Sequence, residues 1–162
     1  MPADRDVSIL GLGNSFRGDD GVGIKVAENI GAERIDNVAI FTNIADSVSL
    51  IESWEGSDAA YIIDAVSSGS APGKIHRFEP MKEEIPAGIF RDYSTHSLDL
   101  KKAVELAEIL DRLPGSLVVY GIEGKNFSPG ADLTPEVNEA VSEVCRKIVH
   151  EIHEHTGNRA RK

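Results

Sequence analysis

Three side chains spaced widely along this sequence have the chemistry to share a divalent cation: Asp20, Asp64 and His96. Two carboxylates and one imidazole form an open, oxygen-rich ligand set that suits nickel or zinc. An ion held there could polarise a carbonyl or activate water; alternatively, one aspartate could act as general base while the metal serves recognition. Taken singly, each residue has a plainer reading. An acid after a Gly-rich turn can cap a helix, an acid in an apolar strand can be a partnered buried charge, and a loop histidine is more often no ligand. The three gain meaning together only if the fold brings them to one edge.

Their contexts point that way. Asp20 follows Asp19 inside LGLGNSFRGDDGVG (10–23), which carries five glycines. The dinucleotide fingerprint G-x-G-x-x-G fails there, because Phe16 stands where the third glycine belongs and Gly18 comes two positions late. A carboxylate at the helix N-terminus would also repel a pyrophosphate. No Gly-Lys-Ser/Thr follows, so the Walker loop fails as well. Gly11 and Gly13 allow close backbone packing, and Asn14 can fix the turn through its side chain. Asp64 closes the apolar run YII, a costly place for a carboxylate unless it is partnered or lies at the mouth of a sheet. His96 lies in STHSLDL, just before a helix pattern; a helix N-terminus favours the neutral imidazole, the form that binds metal. Asp19 is a capping or supporting residue in this reading.

The elements that must position these residues are legible from periodicity. Strands are predicted at 7–12, 37–42, 59–66, 74–78 (an edge strand) and 116–122. Helices are predicted after Asp20, with Val22, Val26, Ala27 and Ile30 on one face, at 47–55, and at 97–112 with Leu100, Val104, Ala107 and Leu110 inward. A final helix starts at Thr134–Pro135 and carries Val137, Val141, Val144, Ile148 and Ile152 on one face. Residues 80–96 read as a long surface loop. Strands alternating with helices imply a mainly parallel sheet covered on both faces, with ligands beyond the carboxyl ends of the strands. If the strands at 7–12 and 59–66 are neighbours, their ends unite Asp20 and Asp64, and the 80–96 loop can carry His96 over the same edge. Residues 1–156 are expected to form a single domain and 157–162 a frayed tail.

Composition narrows the class. The 162 residues are 41% apolar and 27% charged, with a formal net charge of −10. No membrane span or secretory signal is read in the chain, which places the protein in the cytoplasm. The acidity argues against nucleic acid and anionic membranes as partners. Cys145 is the only cysteine, which excludes an intramolecular disulfide, and it is expected in the core. The C-terminal HEIHEH (150–155) misses the zinc motif H-E-x-x-H, since His150 and His153 are three apart rather than four. A solvated last helical turn is the reading adopted there.

GLGNSFRGDDGVG, then IIDAV, THSL and VVYGIEGKNFSPGADLTPEV, in that order, resemble the maturation endopeptidases of nickel–iron hydrogenases over about residues 7–150. The resemblance implies a three-layer αβα sandwich of phosphorylase/hydrolase-like type, with a twisted, mostly parallel five-stranded sheet. It implies removal of a short C-terminal extension from the hydrogenase large-subunit precursor after nickel insertion, so that the new C-terminal region closes over the metal centre. The metal would be nickel presented by the substrate, with zinc or cadmium able to substitute in a crystal. The family's metal-binding acids match Asp20 (often Glu elsewhere) and Asp64, and its histidine matches His96. One departure is in FTNIADSVSL (41–50), which lacks the Gly-Thr turn of many members; the segment is expected near the substrate groove, where the change bears on hydrogenase subtype and catalytic competence.

Two rivals are distinguishable. Peptidyl-tRNA hydrolase also has an opening strand ending in GLGN, but it needs a basic face and an early histidine; here the motif runs into Asp19-Asp20 and the first histidine is His76. A non-catalytic, metal-dependent assembly factor would inspect the hydrogenase without cutting it.

Overall fold

The computed structural model describes residues 6–86, 89 and 99–160. His96, and the first residues of the helix predicted at 97–112, lie outside them. Five strands form one sheet: β1 (Val7–Gly11), β2 (Val38–Phe41), β3 (Ala59–Val66), β4 (Ile75–Phe78) and β5 (Ser116–Glu123). Among the described residues four helices accompany them: α1 (Val22–Ala32), α2 (Ser47–Trp54), α3 (Leu100–Ile109) and α4 (Pro135–Ala160). A 3-10 turn at Gly18–Gly21 leads into α1.

The strand order is β2-β1-β3-β5-β4, parallel throughout except for β4. The connection between β3 and β4 is shorter than the dozen or more residues a parallel crossover requires. β4 therefore runs back antiparallel, on the outer edge beside β5, as the KIHRF stretch suggested. β1 and β3 are direct neighbours, with Gly11 opposite Ile63.

The sheet carries a core on each face, which makes three layers. On β3, Ala59, Tyr61, Ile63 and Ala65 pack with α1 and α4, whose Val22, Val26, Ile30, Val137, Val141, Val144, Ile148 and Ile152 are all buried. Ala60 and Ile62 point the other way, to Leu50, Trp54, Leu100, Ala103 and Ala107 of α2 and α3. Side chains alternate along a strand, so Asp64 belongs to this second row. Helix α1 lies directly on the sheet because glycines permit it. A Cβ on Gly23 would stand 2.2 Å from the Ile63 carbonyl oxygen, and one on Gly11 would stand 2.5 Å from the Gly23 oxygen.

One inward assignment fails. Leu110 was expected in the core, but α3 ends at Ile109 and Asp111 takes a left-handed φ of 55°. The helical phase is lost there, Leu110 is exposed, and Ala103 fills the inward position with Leu100 and Ala107. Helix α4 continues to Ala160, past the boundary set at 156. Among the described residues, no helix is long and apolar enough to cross a membrane.

Candidate metal and catalytic site

The turn after β1 is folded by its own polar groups. The Asn14 Oδ1 accepts from the Phe16 N–H at 2.9 Å, and the Arg17 N–H donates to the Asn14 oxygen at 3.2 Å. Gly13 sits at φ 110°, a region side-chain-bearing residues rarely occupy, and a Cβ there would stand 2.0 Å from the Asp20 main-chain oxygen. The Asn14 N–H donates to that oxygen at 3.2 Å and to the Asp20 Oδ2 at 2.9 Å. The turn thus closes on Asp20 and orients its carboxylate.

The adjacent aspartates have opposite fates. Asp19 is fully buried, at 0% exposure. It accepts from the Lys125 and Asn126 N–H groups at 2.7 and 2.9 Å, from the Thr134 N–H at 2.7 Å and from the Thr134 hydroxyl at 2.9 Å. It pins the turn to the segment after β5 and satisfies the N–H just ahead of α4. Asp20 remains partly exposed. The simple expectation that one of the pair caps the following helix is not met: neither the 3-10 turn nor α1 has a side-chain cap. Main-chain donors elsewhere claim both carboxylates first.

Asp64 stands where β3 passes the end of β1. The Leu12 N–H donates to the Ile63 oxygen at 2.9 Å, one residue before it. Its Oδ1 accepts from the Ala65 N–H at 2.8 Å. Burial pushes the Asp64 carboxyl up to about 7; the Asp20 charge adds to the rise, and the Ala65 hydrogen bond opposes it. The Asp20 charge acts on the Asp64 carboxyl, so the two acids lie within electrostatic reach of each other. The structure therefore brings Asp20 and Asp64 to one rim, while His96 lies outside the described residues.

The other candidates resolve plainly. His150 Nε2 lies 3.2 Å from Glu154 Oε1 on the exposed face of α4. Cys145 is half-buried against α1; burial, with a contribution from Glu33, raises its thiol to about 11, far from a reactive thiolate. Among the described residues, no group of three or more His, Cys, Asp and Glu side chains is arranged to hold a metal. In the 41–50 segment, Asp46 starts α2 by accepting from the Ser49 N–H at 2.7 Å, which lowers its pKa.

Sequence reasoning missed Glu123. It ends β5 beside β3, is 2% exposed, and accepts from the Ser68 N–H at 2.6 Å, the Ser68 hydroxyl at 3.0 Å and the Ser70 N–H at 3.2 Å. His76 Nε2 lies 3.2 Å from its Oε2. The signal was available: like Asp64, Glu123 closes an apolar strand.

The sequence model of the hydrogenase maturation protease family matches residues 24–151. The chain is 25% identical to the hydrogenase expression/formation protein HupD of Thiocapsa roseopersicina over 88% of its length, and spans 65% of that relative. It is 25% identical to the hydrogenase 2 maturation protease of Escherichia coli, with 91% of each chain covered. The fold is like that of the solved hydrogenase maturating endopeptidase HybD from E. coli, with a TM-score of 0.78 at 23% identity over 92% of this chain and 93% of that one.

Proposed function

The chain belongs to the hydrogenase maturation protease family, and on that footing we propose that it is a cytoplasmic endopeptidase. It removes the C-terminal extension of a nickel–iron hydrogenase large-subunit precursor once nickel is in place. The observation that supports this reading is the convergence of Asp20 and Asp64, with the Asp64 carboxyl raised to about 7. Two acids held together by a rigid turn and a buried strand gain from a divalent cation, which removes their mutual repulsion. The donor set fits: two hard oxygen ligands, joined in the proposal by the His96 imidazole, suit nickel and leave positions open.

In this proposal nickel arrives as part of the substrate. Asp20, Asp64 and His96 engage it and so place the scissile bond along the rim, and orientation of this kind can supply a large share of a rate enhancement. The cation, when present, can polarise the carbonyl or lower the pKa of water. A second role for Asp64 draws on its own position: a carboxyl titrating near 7 is matched to general-base work at neutral pH.

The test is incubation of nickel-loaded, unprocessed large subunit with the wild type and with Asp20→Asn, Asp64→Asn and His96→Ala. The expected result is a shortened large subunit with the wild type and an uncut one with each variant. Binding without cleavage by the wild type would instead identify a non-catalytic assembly factor.

A further inference from the structure

We propose that Glu123 is a positioning residue for the cation site: through the turn after β3 it anchors the chain that leads to His96 on the aspartates' rim; the inference rests on the function proposed above. Glu123 gathers both ends of the turn that joins β3 to β4. Its carboxylate accepts from the Ser68 N–H at 2.6 Å, the Ser68 hydroxyl at 3.0 Å and the Ser70 N–H at 3.2 Å. Its main-chain oxygen accepts from the Gly73 N–H at 2.7 Å, and its own N–H donates to the Lys74 oxygen at 2.9 Å. With His76 Nε2 at 3.2 Å, the carboxylate is occupied by the protein and is not itself offered to a cation.

Ser67 stands between two held residues. On one side the Val66 oxygen accepts from the Gly124 N–H at 3.0 Å; on the other, Ser68 is gripped by Glu123. The Ser67 N–H is therefore a fixed donor, and it donates to the Ile89 oxygen at 3.1 Å. Ile89 also buries its side chain, at 7% exposure. Two independent contacts thus bring the chain back, after β4 has run away from the aspartates, to the carboxyl end of β3 just beyond Asp64.

This anchor changes the connection that carries His96. Without it, the fixed points on either side are Phe78, which ends β4, and Asp99, whose carboxylate caps α3 by accepting from the Lys102 N–H at 3.3 Å. With it, the first fixed point is Ile89, and the connection is roughly half as long. A shorter connection costs less to close, and halving it raises the effective concentration of a group it carries about threefold. Glu123 acts at a distance from the cation, by keeping Ser67 in place to hold Ile89.

The experiment is calorimetric titration of nickel ion alone into wild type, Glu123→Ala and Glu123→Gln, each with and without His96→Ala, well below every unfolding midpoint. Glu123→Ala should weaken nickel binding roughly threefold to tenfold where His96 is present, and by less than about 1.5-fold where it is replaced, because a positioning residue acts only through the ligand it positions. Glu123→Gln, whose amide oxygen still accepts from Ser68 and Ser70, should stay within about twofold of wild type. If Glu123→Ala does not fold, Ser67→Pro removes the N–H that holds Ile89 and should give the same pattern; Val66 ends a strand, the conformation favoured before proline. Equal weakening in both backgrounds, or none in either, overturns the positioning role and leaves the proposed function standing. A His96→Ala variant that binds nickel as tightly as wild type overturns the three-ligand site of the proposed function, and this inference with it.

Discussion

Asp64 and Glu123 occupy matched places. Both lie toward the carboxyl ends of neighbouring parallel strands, both close an apolar run, and both face the α2–α3 side of the sheet. Their surroundings differ. Glu123 accepts from two main-chain N–H groups and a hydroxyl and lies beside His76, which locks residues 68–70 onto β5. Asp64 has the Ala65 N–H and, facing it, the Asp20 charge. Asp19 is satisfied in the same way as Glu123, held by three main-chain N–H groups and a hydroxyl. A buried carboxylate saturated with donors belongs to the architecture. A buried carboxylate with one main-chain donor and a second acid acting on it is raised in proton affinity instead.

The strongest challenge to that distinction is Asp19→Ala. It orphans three buried N–H groups and should cost about 3–5 kcal/mol, seen as a lower urea midpoint with loss of processing as a consequence. Glu123→Ala should cost about 2–3 kcal/mol by freeing residues 68–70, and Glu123→Gln distinctly less, since an amide oxygen still accepts. Asp64→Asn should behave in the opposite sense. It should abolish processing yet stabilise the metal-free protein by about 1–2 kcal/mol at neutral pH; a loss of stability as large as that of Glu123→Ala would erase the contrast.

Titration gives the finest test. The Asp64 carboxyl is raised in the folded chain from its ordinary 3.8 to about 7, so folding favours its protonated form. Its stabilising contribution is complete below about 3.8 and is lost as pH rises through about 7. Denaturation of wild type and Asp64→Asn at pH 5 and pH 8 should show the variant's advantage at pH 8 shrinking at pH 5. Divalent-ion affinity should run the other way and weaken as pH falls below about 7, because proton and cation compete for one carboxylate. Calorimetric titration at both pH values would register it.

The legible parts of the sequence were those governed by local periodicity. The alternation of VSILGL, AAYIIDAV and SLVVYGI with amphipathic helices suffices for the layer order; that β1 and β3 are neighbours stood only as a condition there, and the sheet pairing supplies it. Asp20 could be singled out because a carboxylate ends a Gly-rich turn where a bound phosphate would be repelled, and Asp64 because an acid at the end of an apolar strand is costly without a purpose. The same logic applied to Glu123, but its partners Ser68, Ser70 and His76 come from a turn and an edge strand whose positions only the folded sheet defines. Asp19 was obscure for the same reason: its partners Lys125, Asn126 and Thr134 lie more than a hundred positions away. Leu110 failed because helical phase says nothing about where a helix stops.

Helix α4 has a practical consequence. It begins at the rim, beside the donors of Asp19, and its 26 residues extend about 39 Å, against about 27 Å for an eight-residue strand. The last turns therefore overhang the far end of the sheet. A fluorophore or surface tether placed on those turns would leave the aspartate edge facing open solvent, which suits single-molecule and immobilised-binding formats in which a bulky precursor must approach unhindered.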